Sequence, residues 1–195
     1  MVKELFTTRI YQAPLLGAAS LNRRLLEDIR NLSSNDRLGK RWSKDHYHSG
    51  YTSYASLSDL HHRTPAFLRL AELLEPHAGA FARAQAWEMR GLKLEMTACW
   101  VNVMRAGAHH TLHLHPHSVI SGVYYVAVPK GSVALRLEDP RMIYYMNAPI
   151  GRPLYHETTP KAGTCVLFDS WLRHEVPPNR SRAPRISISF NYSLS

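Results

Sequence analysis

The helical spacing of Leu21, Leu25, Ile29 and Leu32 in LNRRLLEDIRNL predicts an amphipathic helix, with Leu26 widening its apolar stripe and Ser20 placed to cap its start. Ahead of it, residues 4–13 (ELFTTRIYQA) read as an opening strand. The following stretch, 33–54 (SSNDRLGKRWSKDHYHSGYTSY), is polar, rich in aromatics and without a period, which predicts a long irregular loop suited to recognition or movement. Its histidines, His46 and His48, are expected at the surface. Thr64-Pro65 then supplies an N-cap and a proline at the first helical position, opening a helix that runs through AFLRLAELLEP to Pro76. A third helix, HAGAFARAQAWEMR, is expected to stop at Gly91.

Beyond Gly91 the apolar residues change from helical to strand spacing. Strands are expected at 92–105, 109–115, 119–129, 132–139, 153–160, 164–170, 171–176 and 184–194. Pro129-Lys130-Gly131 suggests that the third and fourth form a hairpin, and Lys161-Ala162-Gly163 marks a turn. Eight short strands after a helical layer predict a mostly β, α+β fold. Its core would be a double-stranded β-helix or jelly-roll barrel, with the N-terminal helices packed on one outer face. No linker composition divides the chain. The expectation is a single domain, 1–195, in which residues 1–91 supply strand, helices and loop, and 92–195 supply the barrel.

Composition narrows the function classes. With 45% hydrophobic and 20% charged residues the chain is ordinary for a globular protein, and no apolar run reaches the roughly 20 residues that span a bilayer. The beginning, MVKELFTTRIYQAP, lacks a signal-peptide pattern, so a cytoplasmic location is expected and no membrane association. Cys99 and Cys165 each sit in an apolar strand-like run and are read as buried free thiols. The net charge of +9 is scattered rather than gathered on an aromatic-interleaved platform, which argues against nucleic acid and leaves an anionic substrate or co-substrate open.

Five of the twelve histidines fall between 109 and 117. On a strand, residues i and i+2 share a face, so His113 and His115 can point together at one metal. His115 and His117 form a competing pair, but Pro116 between them disfavours a continuous paired strand. His109 shares parity with His113 yet lies about 13 Å along the strand, so His109 and His110 are read as loop residues or supports of the ligands. A returning strand near the C-terminus would bring His174 as the third ligand, leaving an open face as in facial iron(II) sites. Arg185, Ser187, Ser189 and Asn191 share one face of the last strand, opposite Ile186, Ile188 and Phe190. That places a fixed cation and hydroxyls in a polar interior, where the arginine calls for a carboxylate: a bound dicarboxylate reaching from the metal to Arg185, or an internal Asp or Glu.

The run His113-x-His115-Pro116-x-Ser118, followed by SGVYYV at 121–126 and by Trp171-Leu172-x-His174-x-Val176 with Asn179 and RISISFNY, resembles a bacterial family of 2-oxoglutarate/Fe(II)-dependent oxygenases. Trp100-Val101-Asn102-Val103 and Gly107 extend the resemblance, which is close from about residue 95 onward and thin before it. The resemblance implies iron(II) as cofactor and 2-oxoglutarate as co-substrate, converted to succinate and CO2 while a small-molecule or peptide substrate is hydroxylated. It implies His113 and His174 as metal ligands and Arg185 with Ser187 as the anchor of the distal carboxylate. His115 stands where the wider superfamily has Asp or Glu, and Asp169 is the nearest other carboxylate. Asn102 and Tyr124 are candidate co-substrate contacts, with structural roles equally open. Substrate selection would fall to the 33–54 and 140–152 loops and the barrel mouth. The alternatives are a three-histidine cupin-type metalloenzyme that does not use 2-oxoglutarate, and a non-enzymatic ligand-binding protein of the same fold. On any of these readings the chain is open to acting as a homodimer.

Overall fold

The computed structural model describes residues 1–141, 145–147 and 153–195. In chain order the elements are β1 (Ile10–Pro14), α1 (Ala18–Asn35), α2 (Arg37–His46), β2 (Gly50–Thr52), α3 (Pro65–Ala84), β3 (Leu94–Met104), β4 (His110–His113), β5 (Ile120–Ala127), β6 (Leu135–Glu138), β7 (Tyr155–Thr158), β8 (Thr164–Asp169), β9 (His174–Val176) and β10 (Arg185–Leu194). They form two antiparallel sheets, one ordered β1-β8-β5-β10-β3-β2 and the other β4-β9-β6-β7. The mixed architecture of two facing sheets with helices on one outer face is the jelly roll expected from the sequence.

Each side of the larger sheet has its own core. On the outer side α1 and α3 lay Leu21, Leu25, Ile29, Phe67, Leu70, Leu74 and Phe81 against Val101, Val103, Tyr124, Ile188 and Phe190. Between the sheets a second cluster gathers Tyr47, Met104, Tyr125, Leu135, Leu137, Phe168, Leu172 and Val176. Each fully buried side chain of this size contributes on the order of 1.5–3 kcal/mol, so the double core fixes the sheet rigidly.

Several local expectations are corrected. The opening strand is shorter than 4–13, because only Ile10–Pro14 finds a partner, the edge of β8. Helix α1 begins at Ala18 after Gly17, whose φ of 70° turns the chain in; Ser20 donates to the Gly17 carbonyl instead of capping. The 33–54 segment is largely ordered secondary structure. Asp36 caps α2 by accepting from the Gly39 amide at 2.9 Å, and the buried positions of α2 are Gly39 and Ser43. A helix whose inner face is small and polar carries no apolar period. Pro76 does not end its helix: α3 runs through it to Ala84 because the buried stripe Phe67, Leu70, Leu74, Ala78 and Phe81 continues past the missing amide. Finally, β5 and β6 are consecutive but not a hairpin; the Pro129-Lys130-Gly131 turn carries the chain from one sheet to the other. Of the 140–152 loop, residues 142–144 and 148–152 lie outside the described residues.

Candidate metal and dicarboxylate site

His113 ends β4 directly opposite His174, which begins β9; the two are register partners across the smaller sheet. His115 lies just beyond the end of β4, so it reaches the same place not as a strand neighbour but through its amide, which donates to the Ser170 carbonyl at 3.1 Å. His117, one residue past Pro116, has a φ of 66° and is exposed, which removes it from the group. The rings of His113, His115 and His174 stand 5.2, 4.2 and 5.0 Å apart, centre to centre. One ligand atom from each lies within 4.8 Å of the others.

The hydrogen bonds fix the tautomers. His113 Nδ1 lies 2.6 Å from the Thr111 carbonyl, and His174 Nδ1 lies 2.9 Å from the Leu172 carbonyl. His115 Nδ1 lies 2.7 Å from Asn191 Oδ1 and 2.9 Å from Ser121 Oγ. A carbonyl or amide oxygen can only accept, so every Nδ1 donates and every Nε2 keeps its lone pair. Ser121 in turn donates to Asn191 and stands 2.9 Å from Ser170 Oγ, so these side chains lock the His115 ring. Burial, aided by the neighbouring His113, pushes His174 down to about 3, and burial lowers His115 as well. Both are therefore neutral at ordinary pH, the form a metal requires. Three imidazoles grouped through Nε2 suit a divalent transition metal such as iron, nickel or zinc. Asp169 supplies no fourth ligand: its carboxylate accepts from Gln85 Nε2 at 2.7 Å, and burial raises its affinity for a proton.

A cavity of about 60 Å³ joins the three histidines to Arg185 and Ser187, with Trp100, Asn102 and Val123 along its walls. Arg185 is only 1% exposed, and among the described residues no carboxylate pairs with it. The guanidinium donates to Ser187 Oγ and to Met104 Sδ and lies over the Tyr125 ring at 5.0 Å, while its Nε has no partner among the described residues. Asn102 donates to Ser189 and leaves its Oδ1 unpartnered. Uncompensated buried charge is costly, so this arrangement calls for an anion.

Tyr124 is not part of the cavity. In the β5–β10 register Tyr125 pairs with Ser187 and Val123 with Ser189, whereas Tyr124 pairs with Ile188 and faces the helices. Its hydroxyl donates to Asn22 Oδ1 at 2.7 Å. Tyr125, passed over in the sequence, is the one beneath Arg185, and its hydroxyl is buried without a partner. His110 also lines the cavity, with a ring stacked on Tyr47 at 4.5 Å; burial foremost pushes its imidazole down to about 3. Strand parity alone could have found Tyr125 had the register of β10 been known. The Tyr47 contact carried no signal in sequence, since it joins segments more than sixty residues apart.

A wider cavity of about 780 Å³ lies between the N-terminal segment and the β6–β7 edge, lined by Phe6, Leu137, Asp139, Arg141 and His156 among others. It contains none of the three clustered histidines, so the chemistry is assigned to the smaller one.

Residues 98–191 match the sequence profile of a family described as 2OG-Fe(II) oxygenase. No functionally curated protein matches the sequence. Among solved structures, a Pseudomonas putida prolyl-4-hydroxylase is similar with a TM-score of 0.67 and 19% identity over 96% of this chain and 93% of that one. HygX from Streptomyces hygroscopicus, solved with nickel, 2-oxoglutarate and hygromycin B, is similar with a TM-score of 0.65 and 13% identity over 96% of this chain and 83% of that one. A Trichoplax adhaerens prolyl hydroxylase in complex with a hypoxia inducible factor peptide fragment is similar with a TM-score of 0.62 and 15% identity over 96% and 84%.

Proposed function

From the match of residues 98–191 to the 2OG-Fe(II) oxygenase family we propose that the chain is such an oxygenase, that His113, His115 and His174 hold its iron(II) and that Arg185 holds the far carboxylate of 2-oxoglutarate. The observation that carries this reading is the pairing, across one small cavity, of three Nε2 lone pairs with a buried arginine that lacks a carboxylate among the described residues. Bound iron supplies the redox chemistry by which oxygen converts 2-oxoglutarate to succinate and CO2 and hydroxylates a substrate.

The chain's own residues do the positioning. Ser187 and Tyr125 orient the Arg185 fork, and Asn191 and Ser121 hold His115 in the ligating tautomer. Asn102 lines the same cavity and is held by donating to Ser189; the atom it leaves unpartnered among the described residues is an acceptor, which a carboxylate cannot satisfy. Phe168 against His174 and Trp100 against His115, at 4.7 and 5.7 Å between ring centres, keep water from the ligand rings. The prime substrate, a small molecule or peptide, approaches over Trp100 and the exposed Tyr54 that stacks edge-on to it at 5.2 Å. Both kinds of substrate occur in the complexes of similar fold. The whole chain, 1–195, acts as one domain, since α1 and α3 build the outer core of the barrel's own larger sheet. No helix among the described residues is long and apolar enough to cross a membrane. Free, buried Cys99 and Cys165 support a reducing, cytoplasmic setting.

The test is succinate formation from 2-oxoglutarate with iron(II) and ascorbate, comparing the wild type with Arg185→Ala. Turnover lost in the variant supports the reading. Metal binding with no 2-oxoglutarate binding or turnover in the wild type would instead establish a three-histidine metalloenzyme of another kind.

A further inference from the structure

Among the described residues, five of the eight buried side-chain atoms without a hydrogen-bond partner belong to one neighbourhood: Tyr47 Oη, Asn102 Oδ1, His110 Nε2, Tyr125 Oη and Arg185 Nε. Buried polar groups are normally paired, and each one left alone costs roughly 1–3 kcal/mol. Such a concentration is the imprint of a ligand rather than of a core. Arg185 lines the dicarboxylate pocket with Tyr125 directly beneath it, and the Asn102 orphan is an acceptor that no carboxylate meets. Tyr47 and His110 remain, and they come as a stacked pair with ring planes inclined by 21°.

The chain goes to some length to place Tyr47. It is 4% exposed, and it sits in the cluster between the sheets with Met104 and Tyr125 although it belongs to the α2–β2 connection. Its amide caps α2 on the Ser43 carbonyl at 2.8 Å, and its carbonyl accepts from the Gly50 amide at 3.1 Å. A Cβ on Gly50 would come within 2.4 Å of the Tyr47 ring, so glycine at 50 makes the space that the ring occupies. Ser49, with a φ of 58°, takes the strained turn between them and ties it to β3 by accepting from the Arg105 amide. His110 lines the same cavity as Arg185, and Tyr47 shares its cluster with Met104 and Tyr125, the residues that the guanidinium touches. A phenol that only filled space would be served as well by phenylalanine, without a stranded hydroxyl.

We propose that Tyr47 and His110 complete the co-substrate pocket, donating hydrogen bonds to the distal carboxylate of 2-oxoglutarate beside Arg185. The inference rests on the assignment of that pocket to 2-oxoglutarate. It extends the binding machinery to the α2–β2 connection, outside the 98–191 segment that matches the family profile. A carboxylate offers about four acceptor positions, more than the guanidinium fork fills, and the two donors supply the remainder.

Nickel-loaded protein, titrated calorimetrically with 2-oxoglutarate and with pyruvate, tests the proposal in Tyr47→Phe, His110→Phe and Arg185→Ala. Pyruvate has the keto-acid end but no distal carboxylate, so it reports the metal end alone. The expected result is 2-oxoglutarate affinity weakened about tenfold in the two Phe variants, with pyruvate affinity unchanged. Metal-free Tyr47→Phe should melt at the wild-type temperature or above it. Two-oxoglutarate affinity within twofold of wild type in both variants, while Arg185→Ala loses it, overturns the proposal and leaves the pocket assignment standing. Equal loss for pyruvate and 2-oxoglutarate also overturns it, by showing a disturbed metal end. If Arg185→Ala binds 2-oxoglutarate like the wild type, the pocket assignment falls and the inference with it.

Discussion

Replacing Arg185 by methionine should make the metal-free protein more stable while abolishing its response to 2-oxoglutarate. The guanidinium is buried over Tyr125 and has no carboxylate partner among the described residues. Holding an unpaired charge in such a place costs several kcal/mol. The ring contact returns about 2 kcal/mol and the bonds to Ser187 and Met104 somewhat more. The net cost is then on the order of 1–3 kcal/mol, which a methionine of similar length removes. In a protein of this size 1 kcal/mol moves the melting temperature by roughly 2–4 °C, so metal-free Arg185→Met should melt about 2–12 °C above wild type. When 2-oxoglutarate is added to the nickel-loaded proteins at a hundred times the wild-type Kd, the wild type should gain about 2.7 kcal/mol and the variant much less, so the order of stabilities narrows or inverts. Differential scanning calorimetry with and without 2-oxoglutarate reads both effects. A variant that melts well below wild type without ligand would show that Arg185 is a structural cation, and the reasoning from its unpaired charge would fail.

Other outcomes follow from the same geometry. His174→Ala should lose most bound metal, measured by elemental analysis after dialysis; unchanged content removes it from the ligand set. Removing both acceptors of His115 Nδ1 with Asn191→Leu and Ser121→Ala should lower metal affinity about 10–100-fold in a competition titration, although neither residue touches the metal. The adjacent tyrosines should separate. Tyr124→Phe strands Asn22 and costs on the order of 1 kcal/mol in urea unfolding with 2-oxoglutarate affinity intact, whereas Tyr125→Phe keeps stability and weakens the co-substrate. Burial holds His110 and His174 near 3 against the ordinary 6.5. The unfolded chain therefore binds more protons below 6.5, and their stabilisation, complete above that pH, is lost as pH falls toward 3. Metal-free protein should lose on the order of 2–4 kcal/mol between pH 7.5 and 5; a flat urea profile over that range would contradict the burial of these rings.

What the sequence disclosed and what it hid divide along physical lines. His113, His174 and Arg185 were legible because each chemistry-bearing residue sits in a strand whose alternation assigns it a face. His115 was legible as a residue but not in its route: its direction comes from Ser170, Ser121 and Asn191 rather than from strand pairing. Tyr124 and Tyr125 could not be told apart, since the face of β5 depends on its register with β10, which shifts between Ile186 and Ser187. Helix α2 was hidden because its buried residues are Gly39 and Ser43, which hydropathy reads as surface. Pro76 misled for the opposite reason, the apolar stripe of α3 outweighing a local breaker. The β5–β6 turn looked like a hairpin because a turn motif records a change of direction, not which sheet the next strand joins.

The position of β10 bears on how the protein folds. The last strand in the sequence lies in the middle of the larger sheet, between β5 and β3, and the first strand, β1, closes onto β8 by pairing Ile10 with Phe168. Sheet formation thus waits on contacts between distant parts of the chain, the kind that make folding slow and cooperative. β10 also brings Arg185 to the cavity proposed to take the dicarboxylate and Asn191 to His115. Before it inserts, His113 and His174 can face each other across the smaller sheet, but His115 lacks its Asn191 acceptor and the arginine is absent. Assembly of the two halves of the site is therefore coupled to completion of the sheet, and a partly folded chain that captures metal early lacks the grip on co-substrate that would set it turning over.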